Sequence, residues 1–522
     1  MKKINKILTS ALIVPVLAAC TSDFEEINTN PNKTLVGDIK ASAMFEPILY
    51  NGAKVWLNYT WFWNDELIQF TAFTGGTTRS EHRYSITEQN WGSVWDTYSR
   101  YANNINHMYD LSLEQKDRSL EAVALTFRVL FMSNLTDMFG DIPYAEAFQG
   151  RLPGGTKTPK FDSQKEVYEQ MFADLDSANA IYATNPVFLK PELDGMYGGS
   201  MEKWRKFNNS LYLRLLCRVS GRTEMNAGSK IKSILNDPST YPVFASNEDN
   251  ATVHFSGADP YLSEFAITNE GNFTSSGRKL TEQLIKMTVV TENDVQTYQD
   301  PRLPVIGKKN PSTATNPSNV WKGTVAGCTQ EEQSTVDRGT SWLNYKVFCR
   351  PDAPGFFMDY AEVQFILAEA ALKGWIDGGE AKAKEYYTAA VTASLQKWAE
   401  FGPLSETPVT IAEADINTFL ASKLASWDLA TSKEELIAHQ KYLALFWTGM
   451  EAYHEYRRTG YPVLTIGAGT SFNDFILPTR FAYPNTTMAT NSANAQEALK
   501  RMGGENNMKT PVWWSKKAIS GN

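Results

Sequence analysis

The chain has 522 residues, of which 42% are hydrophobic and 12% aromatic, enough for one large core or two or three smaller ones. Its formal net charge of −8 argues against a nucleic-acid partner, because such binding is driven by clustered Lys and Arg that release phosphate counterions.

Lys2, Lys3 and Lys6 form a basic start, and residues 7–17 are an apolar run. That run is shorter than the roughly 20 apolar residues a bilayer crossing needs, so the pattern predicts a secretory signal peptide over residues 1–19. Leu17-Ala18-Ala19-Cys20 is similar to the lipobox of bacterial lipoproteins. Cleavage before Cys20 would leave its thiol to carry diacylglycerol. Losing the three leader lysines takes the chain from −8 to nearer −11. Residues 20–36, with Asp23, Glu25, Glu26 and Pro31, are expected to be a tether. Residues 37–522 carry no second apolar stretch of spanning length and no Ser/Gly/Pro linker, which predicts one lipid-anchored domain. Each buried methylene of such an anchor contributes about 0.8 kcal/mol.

The dominant pattern beyond the tether is helical. Leu120, Val123, Phe127, Leu130 and Phe131 recur at spacings of three and four, as do Trp204, Phe207, Leu211, Leu215 and Val219. Ile437, Leu443, Phe446 and Met450 form a third stripe. An apolar, alanine-rich segment over 363–372 is followed by Gly374, a turn at Asp377-Gly378-Gly379 and a second helix with Ala383, Tyr387 and Ala390. This pair is similar to a tetratricopeptide hairpin. Further candidates at 90–138, and at 163–182 with 201–219, predict about four helix pairs. Residues 238–356 differ: Gly, Pro, Asn, Ser and Thr dominate, and aromatic residues are scattered among them. A long irregular insertion in a compact domain points to function.

A search for catalytic chemistry is mostly negative. His82, His107, His254, His439 and His454 make no HExxH pair, and no Cys/His cluster has zinc spacing. There is no GxSxG elbow and no phosphate-binding GxxxxGK[ST] loop. No catalytic residue, metal or cofactor is predicted. Cys217 lies in an apolar helical stretch and is expected to be a buried free thiol, whereas Cys328 and Cys349 could pair or stay free. His454 is expected to close a helix among neighbouring charges. Arg214, Arg218 and Arg222 share a helical face and are expected to meet acids on a neighbouring helix.

Several segments together resemble the SusD/RagB family of Bacteroidetes surface lipoproteins, in its second, SusD-like branch. They are residues 23–32 (Asp-Phe-Glu-Glu-Ile-Asn-Thr-Asn-Pro-Asn), residues 135–144 from Leu135 to Tyr144, and Trp204 through Leu215. Asp300-Pro301-Arg302, residues 362–370, and Gln440-Lys441-Tyr442 with residues 451–462 follow, and Val512-Trp513-Trp514 closes the series. The resemblance implies a mainly α fold: four tetratricopeptide-like hairpins on one side and irregular loops on the other. It implies an outer-membrane lipoprotein facing the cell exterior, acting as the lid of a SusC-like TonB-dependent transporter and docking by its helical face. Most such proteins capture oligosaccharide; the RagB-like branch takes peptide, and that alternative stays open, as does a surface hydrolase.

The family motifs mark scaffold, so the ligand site is read from chemistry. Sugar sites pair flat aromatic platforms with polar rims. Two regions have that composition: residues 70–95, with Phe73, Arg79, Arg83, Tyr84 and Trp91, and residues 259–342, with Tyr261, Phe273, Trp321 and Trp342. Tyr84 and Trp321 are the expected stacking rings and Arg79 a rim donor. Trp56, Trp61 and Trp63 are read as core, and Phe139, Tyr144, Trp204, Trp513 and Trp514 as scaffold.

Overall fold

A computed structural model describes residues 39–74, 80–274, 277–310 and 319–520. Cys20, the tether and Arg79 lie outside them.

Helix α1, Ala41–Tyr59, runs into a π-helical turn at Thr60–Asn64. Four helix pairs follow: α2 and α3 (Glu88–Gln115, Arg118–Phe139), α4 and α5 (Gln164–Tyr182, Met201–Arg218), α6 and α7 (Tyr360–Leu372, Gly379–Ala399), and α8 and α9 (Lys433–Ala444, Glu451–Thr459). Local chemistry sets their starts. Asp117, Ser200 and Ser432 accept from the first-turn amides of α3, α5 and α8, and Ser163 and Glu166 cap α4 reciprocally. The α6–α7 connection uses Gly374 and Gly378 at φ +70° and +107°, where a side chain would be strained.

The predicted apolar stripes are buried throughout. Helix α3 is long and apolar enough to cross a membrane, yet 94% of its apolar window is buried within the fold, so it is a core helix. The third stripe does not lie on one helix. The chain breaks after Ala444 and restarts at Glu451, with Trp447 and Gly449 both at positive φ. A Cβ on Gly449 would sit 2.1 Å from Nε1 of Trp56, so only glycine lets this turn close on the indole.

The scattered family motifs converge on a buried network of charges. Arg214 on α5 donates to Glu362 on α6 (Nε–Oε1 2.6 Å), and Arg218 pairs with Glu451 on α9. Asp137 on α3 accepts from the Tyr168 hydroxyl and the Trp514 indole, each at 2.6 Å, with Arg218 at 3.8 Å. Arg458 grips Glu369 at 2.8 Å, and Lys441 meets Glu455 at 3.0 Å. Burial alone would raise the Glu369 carboxyl, but Arg458 and Lys373 outweigh it and hold it below the usual carboxylate range. At Asp137 and Glu362 desolvation wins, and both are raised. Arg222 lies four residues past the end of α5, off the shared helical face expected for it. Instead of pairing with an acid on a neighbouring helix, it donates to the Trp513 carbonyl and lies over that ring. His454 is fully enclosed, between Asn134 and Arg457.

The insertion holds most of the strands. Strands β1 (Thr71–Phe73), β3 (Arg278–Leu280), β7 (Trp342–Leu343) and β6 (Gly307–Lys308) form an antiparallel sheet in that order. Strand β2 (Ala251–Val253) pairs with β8 (Gly355–Met358). The β4–β5 hairpin (Val289–Glu292, Val295–Gln299) turns on Asn293 and Asp294, both at positive φ, as a tight primed turn requires. Cys217, Cys328 and Cys349 are all buried free thiols.

Candidate functional site

The sheet sorts the predicted aromatic residues by register. Phe73 faces Arg278, and Trp342 lies between Lys279 and Lys308, each directly opposite it on a neighbouring strand. The Arg278 guanidinium sits 3.5 Å over Trp61, with Phe62 at 5.2 Å and Phe73 at 5.5 Å. Phe273 is fully buried, stacked nearly parallel to Trp61. This aromatic cage is therefore filled by the protein's own cation. The ammonium groups of Lys279 and Lys308 lie 4.8 and 5.9 Å from the Trp342 ring centre, so that ring is occupied as well.

Other predicted site residues turn inward. Tyr84 is fully buried at φ +58° and is a core residue, with no face left for a sugar. Arg83 spends its guanidinium on the Cys328 carbonyl (2.7 Å) and on Gln330 (2.7 Å). His82 accepts from the Gly327 amide at 2.9 Å through Nδ1 and reaches the Phe73 carbonyl at 3.1 Å through Nε2. Burial, with Arg83 beside it, pulls its pKa down to about 3, so the ring is neutral. Tyr261 stacks on Tyr50 of α1, with centroids 4.3 Å apart, and half-buried Trp91 lies in the first turn of α2. Trp56 and Trp63 are core as expected, while Trp61 is half-buried.

Trp321 is the predicted residue that borders a cavity. It is only 5% exposed, because β5 and β6 hold it on several sides. The Gln296 amide exchanges two hydrogen bonds with its backbone (2.6 and 3.0 Å), and Gln299 accepts from the indole at 2.6 Å. Lys309 lies 5.5 Å over the ring, and Gly307 has no side chain to push it away. The indole is thus a wall and offers no open stacking face. It closes one side of a cavity of about 410 Å³, also lined by Asn344, Lys308, Lys309, Asn319, Glu406 and Thr407. Ligand pockets commonly start near 300 Å³. Asn344 is 3% exposed and donates to the Val305 carbonyl at 3.0 Å, while its Oδ1 has no hydrogen-bond partner. Lys308 is paired with Glu406; no carboxylate among the described residues lies within ion-pair distance of Lys309.

The cavity floor is tied to the helices by one side chain. Buried Arg302, just before Pro304 and Gly307, chelates Asp300 (2.6 and 3.0 Å) and reaches Ser394 on α7 (2.9 Å) and Gln440 on α8 (2.8 Å). Sequence reasoning singled out Trp321 as a stacking ring, a role its burial contradicts, and did not single out Asn344, Lys308, Lys309 or Glu406. The first three sit at strand ends with no periodic signature, and Glu406 comes from a loop outside the predicted insertion.

Comparison with known proteins agrees with this architecture. Solved structures similar to the chain include a chitin-binding protein (25% identity, TM-score 0.75, covering 91% of this chain and 100% of that one). Others are a SusD homologue from Bacteroides fragilis (24%, TM-score 0.74, 91% and 99%) and a chitin-binding SusD homologue from Flavobacterium johnsoniae (24%, TM-score 0.69, 91% and 98%). No curated protein matches the chain. The family described as starch-binding and associating with the outer membrane matches residues 31–484, and the chain is a member of that SusD-like family.

Proposed function

We propose that this chain is a cell-surface lipoprotein, anchored through Cys20, that captures an oligosaccharide and acts as the lid of a SusC-like TonB-dependent transporter. The observation that carries the capture step is the 410 Å³ cavity beside Trp321, rimmed by exposed Asn319 and Thr407 together with Lys308 and Lys309. Such side chains can meet sugar hydroxyls, each hydrogen bond contributing about 0.5–1.5 kcal/mol. The cavity lies in the strand-rich insertion, joined to the helix pairs through Arg302. That arrangement leaves the helical face for a partner.

A glycan array of the mature protein tests the reading, followed by titration of Asn319→Ala and Thr407→Ala, two exposed changes at the cavity rim. Specific glycan binding weakened at least fivefold by either change, with melting temperature unmoved, is the expected result. Binding to peptides and to no glycan would overturn it. The lid role predicts co-extraction with a large outer-membrane barrel in mild detergent, and isolation of the chain alone under several such detergents would overturn that part.

A further inference from the structure

We propose that the Trp321 cavity selects anionic saccharides, those carrying a carboxylate or sulfate, over neutral ones. The inference rests on the glycan-capture reading and narrows its ligand class.

Neutral sugars are usually held by stacking an apolar ring face on an open aromatic platform. This cavity has none: Trp321 is 5% exposed, with Lys309 over its ring and Gly307 packed against it. Recognition therefore falls to polar and charged groups. One charged group is uncommitted. The Lys309 ammonium has no ion-pair partner among the described residues. Its neighbour Lys308 is neutralised by Glu406, so the cavity's unbalanced charge is positive, on a chain whose overall charge is −8. A cation resting on an indole gains only about 0.5–1 kcal/mol at an exposed site. A charge-assisted hydrogen bond to a ligand oxyanion is stronger. The oxyanion of an acidic sugar residue would meet Lys309, with exposed Asn319 and Thr407 at the rim for its hydroxyls.

The experiment compares oligogalacturonate and chondroitin sulfate oligomers with their carboxyl-reduced and desulfated counterparts, titrated into the full mature chain and its Lys309→Gln and Lys309→Arg variants. At least one anionic series should bind ten times or more tighter than its neutral counterpart, and high salt should erase the difference. Lys309→Gln should remove the preference with melting temperature unchanged, and Lys309→Arg should keep it. Equal binding of charged and neutral partners, or a preference that survives Lys309→Gln, would overturn the inference while leaving glycan capture standing. If neither these oligomers nor any glycan on the array binds, the capture reading falls and takes this inference with it.

Discussion

Asp137 and Trp514 stand 377 positions apart in the chain and are joined by a 2.6 Å hydrogen bond inside the core, where the last aromatic residue serves a carboxylate of the first helix pair. Tyr168 donates to the same oxygen. Trp514→Phe keeps most of the packing and removes one donor from a buried carboxylate already raised by desolvation. We expect a loss of about 1–3 kcal/mol in denaturant unfolding, with ligand affinity unchanged. No loss would mean that Tyr168 and Arg218 alone suffice for that charge.

Gly449→Ala should be more damaging. The residue has φ +59°, and its new methyl would collide with the Trp56 indole, which is itself packed edge-on against Tyr98, Phe131 and Phe357. Strain and overpacking together predict about 3 kcal/mol or more, read as a drop in melting temperature or loss of soluble protein. A melting temperature within a degree of wild type would show that this turn relaxes freely.

Tyr84→Ala distinguishes core from platform. Cutting back a fully buried aromatic ring costs about 3–5 kcal/mol. Stability should fall sharply, while Asn319→Ala leaves stability intact and weakens binding. The reverse pattern, weakened binding at wild-type stability in Tyr84→Ala, would restore the ring to the ligand site.

The pH response of His82 has a fixed sign. Its imidazole titrates near 6.5 when unfolded and is held down to about 3 when folded, so between those values the unfolded chain binds the extra proton. The stability it contributes is complete above pH 6.5 and is lost as the pH falls toward 3, at up to about 1.4 kcal/mol per pH unit. His82→Gln cannot titrate. Its stability difference from wild type should therefore shift steadily in the variant's favour as the pH is lowered from 7 to 4. A difference independent of pH would mean that the ring is not held neutral.

Cys20→Ala should fold normally, fail to incorporate labelled fatty acid and leave the membrane fraction. Continued tight membrane association of this variant, in cells lacking SusC-like transporters, would remove the lipid anchor from the account.

Much of the scaffold was legible because helices write their burial at a fixed period. Leu120 to Phe131 and Trp204 to Val219 declare their buried faces locally, and Asp377-Gly378-Gly379 marks a turn that does begin a helix. Arg214 and Arg218 could be assigned acidic partners because four-residue spacing puts them on one face; which acids they meet is decided by tertiary packing. Tyr84 was misread for the complementary reason. It lies in an irregular segment with no period, and its burial comes from residues far along the chain. The break at Gly449 was hidden because the apolar spacing continues through it. The cavity was half legible: an isolated tryptophan in a polar insertion is visible, but the clamp of Gln296 and Gln299 and the approach of Glu406 exist only after folding.

Arg302 has a mechanical consequence. Its four polar contacts tie a helix of the third pair, a helix of the fourth and the stretch of chain that floors the cavity to one rigid, planar group. A sliding of α7 against α8 cannot be absorbed there without either breaking a buried charge-assisted bond or dragging Gln299 and Gly307 with it. Pressure applied to the helices from outside would therefore reach the cavity as a change of shape, and a filled cavity would stiffen the helices in return.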